Sequence, residues 1–304
     1  MLQKRAWLRK RHDRLRRALM LEPRGHADMY GAVLTEPVSS SADAGVLFMH
    51  NEGYSTMCGH GIIAVTTIAL ERRLVVGRAP NALVFDTPAG PVNAVGSLKV
   101  GGADDIRVDS VAFDNVPSFI LYPALTVRAN NREVHVDVAF GGAFYGIVDS
   151  EALGIPLRAE HLPRIRAAGM DIKQAVERVA DVVHPLDPDL RGIYGTIVTG
   201  PPEDASSDLR NVTVFADAEV DRSPCGTGTA AVMAVLDAMD LLSADRPFTH
   251  ASIIGTTFLG RVVRRTKVGP FDAIVPSIQG SAWITGEHTF LIDDTDPLKD
   301  GFRL

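Results

Sequence analysis

The chain contains two cysteines, and each begins a Cys-Gly-x-Gly string that leads into an apolar segment. Cys58 lies in Met57 to Gly61 (MCGHG) and Cys225 in Pro224 to Thr229 (PCGTGT), about half the chain length later. The segments that follow, 64–70 and 230–242, are apolar on nearly every face, which predicts helices buried inside a domain. The repeated pattern therefore predicts two similar domains, each with a cysteine at the N-terminus of its central helix.

The remaining sequence predicts a mixed α/β fold. The segment 158–180 alternates charged and apolar faces, as expected for a surface helix. Strands are predicted where Val, Ile, Phe and Thr cluster, at 45–50, 82–86, 134–140, 146–148, 195–198, 212–215 and 289–292. A boundary near Val116 and Pro117 gives a first domain of residues 1–115, completed by 284–304, and a second domain of residues 116–283.

The composition indicates which kinds of molecule the protein is expected to bind. The 304 residues carry a net charge of −6, and because nucleic acid or an anionic membrane surface would favour a basic protein, both are poor partners. The 46% hydrophobic content is enough for the core of a globular protein. No apolar run is long enough to cross a bilayer. The basic segment 1–20 lacks the apolar core of a secretory signal and predicts a surface helix with a solvated basic face. We expect a cytoplasmic protein whose partner is a small molecule.

The two cysteine strings suggest proton transfer. A cysteine at a helix N-terminus is expected to have a lowered pKa, and a thiolate is a useful base. The adjacent glycines leave backbone N–H groups free to face a substrate carboxylate at the positive end of the helix dipole. A thiol and a thiolate on opposite faces of one α-carbon could invert it. The spacing fits no zinc site, and this chemistry requires no metal or pyridoxal cofactor.

Each of two polar residues near the cysteines has both a functional and a structural interpretation. His60 could orient or polarise a substrate, or it could be a polar surface or capping residue. Asp221 could contact a substrate, or Asp221 and Ser223 could cap the turn before the second helix. The residues alone leave these alternatives open.

Six strings, in order along nearly the whole chain, resemble the proline racemase superfamily. This superfamily contains proline racemases, 4-hydroxyproline epimerases and trans-3-hydroxy-L-proline dehydratases. The combination of MCGH and DRSPCGTGT is highly specific. The strings are EPRGHADMYG (22–31), MCGHGII (57–63), DTPAG (86–90), DVAFGGAFY (137–145), DRSPCGTGT (221–229) and DDTDPLKDGF (293–302).

The resemblance implies an α/β fold like that of diaminopimelate epimerase. Each of two similar domains would wrap a sheet or barrel around a central helix, with the active site in the cleft between them, and the protein would be a homodimer. Cys58 and Cys225 would be the catalytic thiols. The substrate carboxylate, ring or ring nitrogen would contact Gly59, His60, Gly226, Thr227 and Asp221, with Tyr30 and Phe215 closing the pocket around the ring.

The leading interpretation is racemisation or epimerisation of proline or a hydroxyproline, because two sulfurs suit two-sided proton transfer. The alternative is dehydration of trans-3-hydroxy-L-proline. Strings such as EPRGHADMYGAVL resemble the dehydratase branch, although that branch has Thr at the position of Cys225. A second alternative is an inactive or truncated paralogue, since family members usually begin with an extra strand before the basic helix. Diaminopimelate epimerase itself, a related two-base isomerase, fits DRSPCGTGT and Tyr30 less well.

Overall fold

The computed structural model describes residues 1–100, 106–129 and 132–303. The chain forms two compact units. The first consists of Met1–Val111 together with Ser281–Leu304, and the second is the continuous stretch Ala112–Gly280. Each cysteine string lies in a different unit.

The elements of the first unit are α1 (Leu2–Met20), β1 (Tyr30–Thr35), β2 (Ala44–His50), β3 (Tyr54–Ser55), α2 (Gly59–Glu71), β4 (Ala82–Thr87), β5 (Gly90–Val100) and β6 (Ile106–Asp114), whose last three residues belong to the second unit. The unit is built on a sheet in the order β1-β2-β4-β5, in which β2 and β4 are parallel and the other pairs antiparallel. The short β3 pairs with β2. Helix α2 packs against β1 and β5.

The second unit begins with three strands followed by two α-helices and ends with a long hairpin. Its elements are β7 (Ser118–Ala129), β8 (Arg132–Phe140), β9 (Phe144–Asp149), α3 (Ser150–Leu153), α4 (Leu162–Val179), β10 (Val183–His184), β11 (Asp187–Arg191), β12 (Ile193–Gly200), β13 (Leu209–Phe215), β14 (Glu219–Val220), α5 (Gly226–Ala238), β15 (Phe248–Ala251), β16 (Thr257–Val268) and β17 (Phe271–Gly280).

Eight of these strands close into a barrel around α5. Their order is β17-β16-β15-β13-β12-β9-β8-β7, and β7 pairs with β17 through Phe119 opposite Ala273. Helix α5 contacts β7, β8, β9, β16 and β17, and every residue from Gly226 to Val235 is buried. Because this helix meets strands on several sides, it needs apolar side chains all round, as its sequence shows. Helix α4 instead buries one face against β12, β13 and β7.

Helices α2 and α5 have the same length and the same type of end. Each has 13 residues, and in each a non-glycine residue with left-handed φ follows the C-cap: Arg73 at 52° and Asp240 at 56°. The N–H of Leu74 bonds to Ala69 O and that of Leu241 to Leu236 O, both at 2.9 Å, which is the Schellman pattern.

One predicted helix boundary and one predicted strand are wrong. The second central helix was expected to continue to residue 242, but the turn at Asp240 ends it at Ala238. No strand forms at 289–292, where Leu291 is 82% exposed and Phe290 45%. A segment with β-branched and aromatic residues, such as Thr289, Phe290 and Ile292, makes a strand only where a neighbouring strand can pair with it.

Candidate active site

Cys58 is the N-cap of α2. Its backbone is extended, with φ −146°, and its Sγ accepts a hydrogen bond of 3.3 Å from the N–H of Gly61. The sulfur thus replaces the hydroxyl or carboxylate oxygen that usually caps a helix. A Cβ at position 61 would lie 3.1 Å from Sγ and 2.8 Å from the Phe48 ring. The glycine therefore leaves the space that the sulfur and the ring occupy.

Three other residues predicted for the site lie around this helix end. Gly59 is the first residue of α2 and is buried. The ring of His60 meets the ring of Tyr30 edge to face, with 5.0 Å between centroids. Tyr30 also stacks on His50, and its hydroxyl is hydrogen-bonded to Ser55 Oγ. The fold therefore brings Tyr30 and His60 together beside Cys58.

Cys225 is the N-cap of α5, but its backbone is unusual. Its φ is 63°, a conformation that residues other than glycine rarely adopt, and its Sγ accepts a hydrogen bond of 3.4 Å from the N–H of Gly228. Two hydroxyls also approach this sulfur. Tyr145 Oη lies 3.6 Å and Thr227 Oγ1 3.8 Å from Sγ, and the two oxygens are 2.6 Å apart.

The environment of Cys225 raises the pKa of its thiol to about 12. Burial is the main cause, because it disfavours the thiolate, and the negative charge of Asp221 acts in the same direction. Hydrogen bonds from Tyr145, Gly228 and Thr227 lower the pKa but do not outweigh burial. The predicted lowering of the pKa is therefore wrong for Cys225, whose sulfur is closed in by the surrounding barrel.

Asp221 supports the loop that carries Cys225. Its Oδ1 accepts hydrogen bonds of 2.8 Å from both the backbone N–H and the hydroxyl of Ser223. Ser223 Oγ in turn accepts a bond of 3.1 Å from the Cys225 N–H. This geometry matches the capping interpretation of Asp221, while its contact with a substrate nitrogen stays a prediction.

A buried polar network lies beneath the same loop, and its residues were not predicted from the sequence. Asn211 Nδ2 and Thr229 Oγ1 both donate to the Pro224 carbonyl, at 3.0 and 3.2 Å. His250 joins them, with Nδ1 2.8 Å from Thr229 Oγ1 and Nε2 3.0 Å from Asn211 Nδ2. Burial lowers the pKa of His250 to about 3, so the ring is neutral near pH 7. The network fixes the peptide that precedes the thiol.

Phe215 lies at the end of β13 in a series of aromatic rings. It is buried and stacks on Tyr194, with 5.5 Å between centroids, and Tyr194 meets Tyr145 edge to face at 5.8 Å. The series thus connects a predicted pocket residue to the hydroxyl beside Cys225. Tyr145 ends the DVAFGGAFY string, which was the available sequence signal for it. Gly226 and Thr227, also predicted, form the first turn of α5.

No helix in the described ranges combines the length and hydropathy that a bilayer span requires. Residues 1–100, 106–129 and 132–303 contain no group of three or more His, Cys, Asp or Glu side chains arranged to hold a metal ion. Both cysteines are free thiols.

Known proteins resemble this chain over nearly its full length. A trans-3-hydroxy-L-proline dehydratase of Bacillus thuringiensis is 47% identical over 305 residues, covering 100% of this chain and 90% of the relative. A 3-hydroxyproline 2-epimerase of Burkholderia multivorans is 45% identical over 303 residues, covering 99% and 89%. The crystal structure of an Agrobacterium vitis hydroxyproline epimerase with bound trans-4-hydroxy-L-proline aligns with a TM-score of 0.87 and 32% identity, covering 96% of this chain and 83% of that one.

These comparisons confirm the predicted fold class, a mixed α/β fold with a sheet barrel around a helix. The model of the proline racemase family matches residues 1–303, which include both helix-capping cysteines. The relatives are enzymes that epimerise or dehydrate hydroxyproline. The chain is therefore an enzyme of the proline racemase family.

Proposed function

We propose that this enzyme is a cofactor-independent racemase or epimerase, in which Cys58 and Cys225 act as an acid–base pair at the α-carbon of proline or a hydroxyproline. One observation supports the proposal most directly. Each cysteine is the N-cap of its own buried helix, and each Sγ accepts a hydrogen bond from the backbone N–H three residues later. A single buried cysteine is usually an inert apolar residue, but two in equivalent capping positions suit a paired role.

The proposed reaction balances without a cofactor. One sulfur, as thiolate, takes the α-proton from one face of the substrate, and the other sulfur donates its proton to the opposite face. A C–H bond breaks and another forms, and the two sulfurs exchange protonation states. The raised pKa of Cys225 favours it as the proton-bearing partner for the first turnover.

The N-terminal turns of α2 and α5 supply electrostatic stabilisation in this scheme. The first N–H groups of a helix have no partner within it and carry partial positive charge. Gly59, His60, Gly226 and Thr227 occupy these positions and would hold the substrate carboxylate as it gains enolate character. Tyr30, Phe215 and Asp221 would contact the ring and its nitrogen.

Dehydration of trans-3-hydroxy-L-proline is the second candidate. In that reaction one base removes the α-proton and the 3-hydroxyl leaves as water, so only one face of the ring requires a base. The dehydratase and the epimerase relatives are 47% and 45% identical to this chain, so overall similarity does not separate the two reactions. Cys225 favours epimerisation, because the family resemblance implies threonine at the matching position of the dehydratase branch.

A substrate panel in heavy water tests the proposal. The enzyme is incubated with L-proline, trans-4-hydroxy-L-proline and trans-3-hydroxy-L-proline, and the products are analysed by chiral chromatography, mass spectrometry and an assay for the pyrroline. We expect deuterium at the α-carbon and formation of the opposite α-configuration, with Cys58→Ser as the negative control. If trans-3-hydroxy-L-proline is converted to the pyrroline and none of the three compounds is epimerised, the result would favour the dehydratase. No turnover of any compound would favour the inactive paralogue.

We also infer a cytoplasmic homodimer. The free thiols suit a reducing compartment, and the family resemblance implies two subunits. Light scattering coupled to gel filtration gives the subunit number directly, and a monomeric mass would contradict the dimer.

A further inference from the structure

We propose that Tyr145 is a further residue of the reaction site, whose hydroxyl donates a hydrogen bond to Cys225 Sγ and stabilises the thiolate. The hydrogen bond is a property of the folded protein, whereas its catalytic meaning rests on the proposed function of Cys225.

The geometry places three polar atoms in one closed cluster. Tyr145 projects from β9 and is 1% exposed, with Oη 3.6 Å from Cys225 Sγ and 2.6 Å from Thr227 Oγ1. Thr227 Oγ1 lies 3.8 Å from the same sulfur. Because sulfur is larger than oxygen, separations of this size are hydrogen-bonding distances. Both hydroxyls therefore lie within hydrogen-bonding distance of Cys225 Sγ.

The protons of this cluster can be arranged in two ways. When Cys225 is a thiolate, Thr227 donates to Tyr145 Oη and Tyr145 donates to the sulfur. When Cys225 carries its proton, the S–H is directed at the substrate and the Tyr145 O–H turns to Thr227 Oγ1. Apart from the proton on Cys225 Sγ, which is exchanged with the substrate, only hydroxyl rotations separate the two arrangements. Tyr145 keeps its proton in both, because burial and the neighbouring thiolate charge raise its pKa well above the usual value.

Cys225 needs such a donor because other features of its surroundings oppose the thiolate. Burial and the charge of Asp221 both disfavour a negative sulfur, and the Gly228 N–H provides one opposing hydrogen bond. If Cys225 exchanges protons in every turnover, it must pass through the thiolate. Tyr145 adds a donor from a strand that is 80 residues away in sequence.

The alkylation rate of Cys225 tests this hydrogen bond without any substrate. In a Cys58→Ala background, Cys225 is the single cysteine, and its reaction with iodoacetamide at fixed pH reports the thiolate fraction. We expect Tyr145→Phe to slow alkylation about threefold for each unit by which the pKa rises, since the greater nucleophilicity of a more basic thiolate offsets part of the loss.

Tyr122→Phe is the matched control. It also removes one tyrosine hydroxyl from the second unit, but that hydroxyl donates to the Asp181 carbonyl at the surface. Its alkylation rate should equal that of the Cys58→Ala parent. Equal rates in the Tyr145→Phe and parent proteins would overturn the proposal.

A second variant separates hydrogen bonding from packing and remains informative if Tyr145→Phe does not fold. Replacing Tyr145 by 3-fluorotyrosine keeps the shape of the side chain and makes its hydroxyl a stronger donor. We expect faster alkylation of Cys225, the opposite of the Tyr145→Phe effect, whereas an unchanged or slower rate would contradict the proposal.

In the enzyme with both cysteines, Tyr145→Phe should also shift to higher pH the limb of the activity profile that requires the Cys225 thiolate. If Tyr145→Phe does not slow the alkylation of Cys225, the hydrogen bond is disproved. If Tyr145→Phe slows alkylation as expected but the enzyme with both cysteines has no epimerase activity, the proposed function is disproved instead.

Discussion

Cys58 and Cys225 cap helices of equal length through the same N–H position, yet their backbones differ, with φ at −146° for Cys58 and 63° for Cys225. The first is an ordinary extended conformation. The second is sterically costly for any residue with a Cβ. The second sulfur thus lies on a strained backbone, and its loop is held by hydrogen bonds from Ser223 to Asp221, from Cys225 to Ser223 and from Asn211 to the Pro224 carbonyl.

Glycine should be favoured over alanine more strongly at the cap position 225 than at the cap position 58. At position 225, we expect Cys225→Gly to be about 1 kcal/mol more stable than Cys225→Ala, because glycine adopts positive φ without steric cost. At position 58, which is also an N-cap but has an extended backbone, the advantage of glycine over alanine should be about 1 kcal/mol smaller, because no positive φ has to be accommodated. Urea unfolding of the four variants measures both differences, and an equal advantage of glycine at both positions would contradict the strained cap.

Serine at either cap should abolish epimerisation while preserving the fold. A serine hydroxyl can still accept the N–H bond of the cap, but it is far too weak an acid or base near neutral pH. We expect activity on proline and hydroxyproline to fall to background in Cys58→Ser and Cys225→Ser. Circular dichroism should remain unchanged. Turnover close to that of the parent in either variant would exclude the two-thiol mechanism.

Threonine at position 225 separates the two candidate reactions. Cys225→Thr should remove deuterium exchange into the D-enantiomer of proline while retaining any dehydration of trans-3-hydroxy-L-proline. The φ of 63° at this position is unfavourable for a β-branched residue. We therefore also expect a loss of about 1–2 kcal/mol in stability, measured by the same unfolding assay. Persistent epimerisation in this variant would show that Cys225 is not the second proton-transfer group.

His250 should make the protein less stable in mild acid. In the unfolded chain a histidine binds a proton below about pH 6.5, whereas the folded protein lowers the pKa of His250 to about 3. The unfolded state therefore holds more protons between these values, and stability falls as the pH drops from about 6.5 towards 3. The contribution of this histidine to the slope is at most about 1.4 kcal/mol per pH unit.

Two substitutions isolate that effect. His250→Gln should flatten the dependence of the free energy of unfolding on pH below 6.5. His135→Gln, at an exposed position on β8, should retain the parent slope. A His250→Gln protein with an unchanged slope would assign the acid sensitivity to other groups.

Gly141 should be essential for the position of α5. A Cβ there would lie 2.1 Å from the carbonyl oxygen of Thr227 and 2.7 Å from the Ala231 nitrogen, so the helix would have to move. We expect Gly141→Ala to destabilise the protein by about 3 kcal/mol and to reduce epimerase activity more than this instability explains. Gly53→Ala is the control, because a Cβ at that position meets nothing within 4 Å. Equal thermal stability of the two variants would contradict this close approach.

The sequence by itself identified the elements whose causes are local. Glycine-rich strings before segments that are apolar on all faces predicted two buried helices with cysteine at their N-termini, and both cysteines are the N-caps. The pattern also predicted the mixed α/β class and the family, since these depend on motifs and their order along the chain. The turn that ends α5 at Asp240 escaped prediction, because a left-handed aspartate has a weaker signal than glycine.

Only the tertiary structure decided the chemical environment of Cys225. Tyr145 and His250 come from β9 and β15, and nothing near Cys225 in the sequence indicates that their side chains reach its loop. The direction in which the pKa of the Cys225 thiol is shifted also depends on the fold. A helix N-terminus favours a thiolate wherever it occurs, whereas the opposing cost of burial exists only once the barrel has closed around the sulfur.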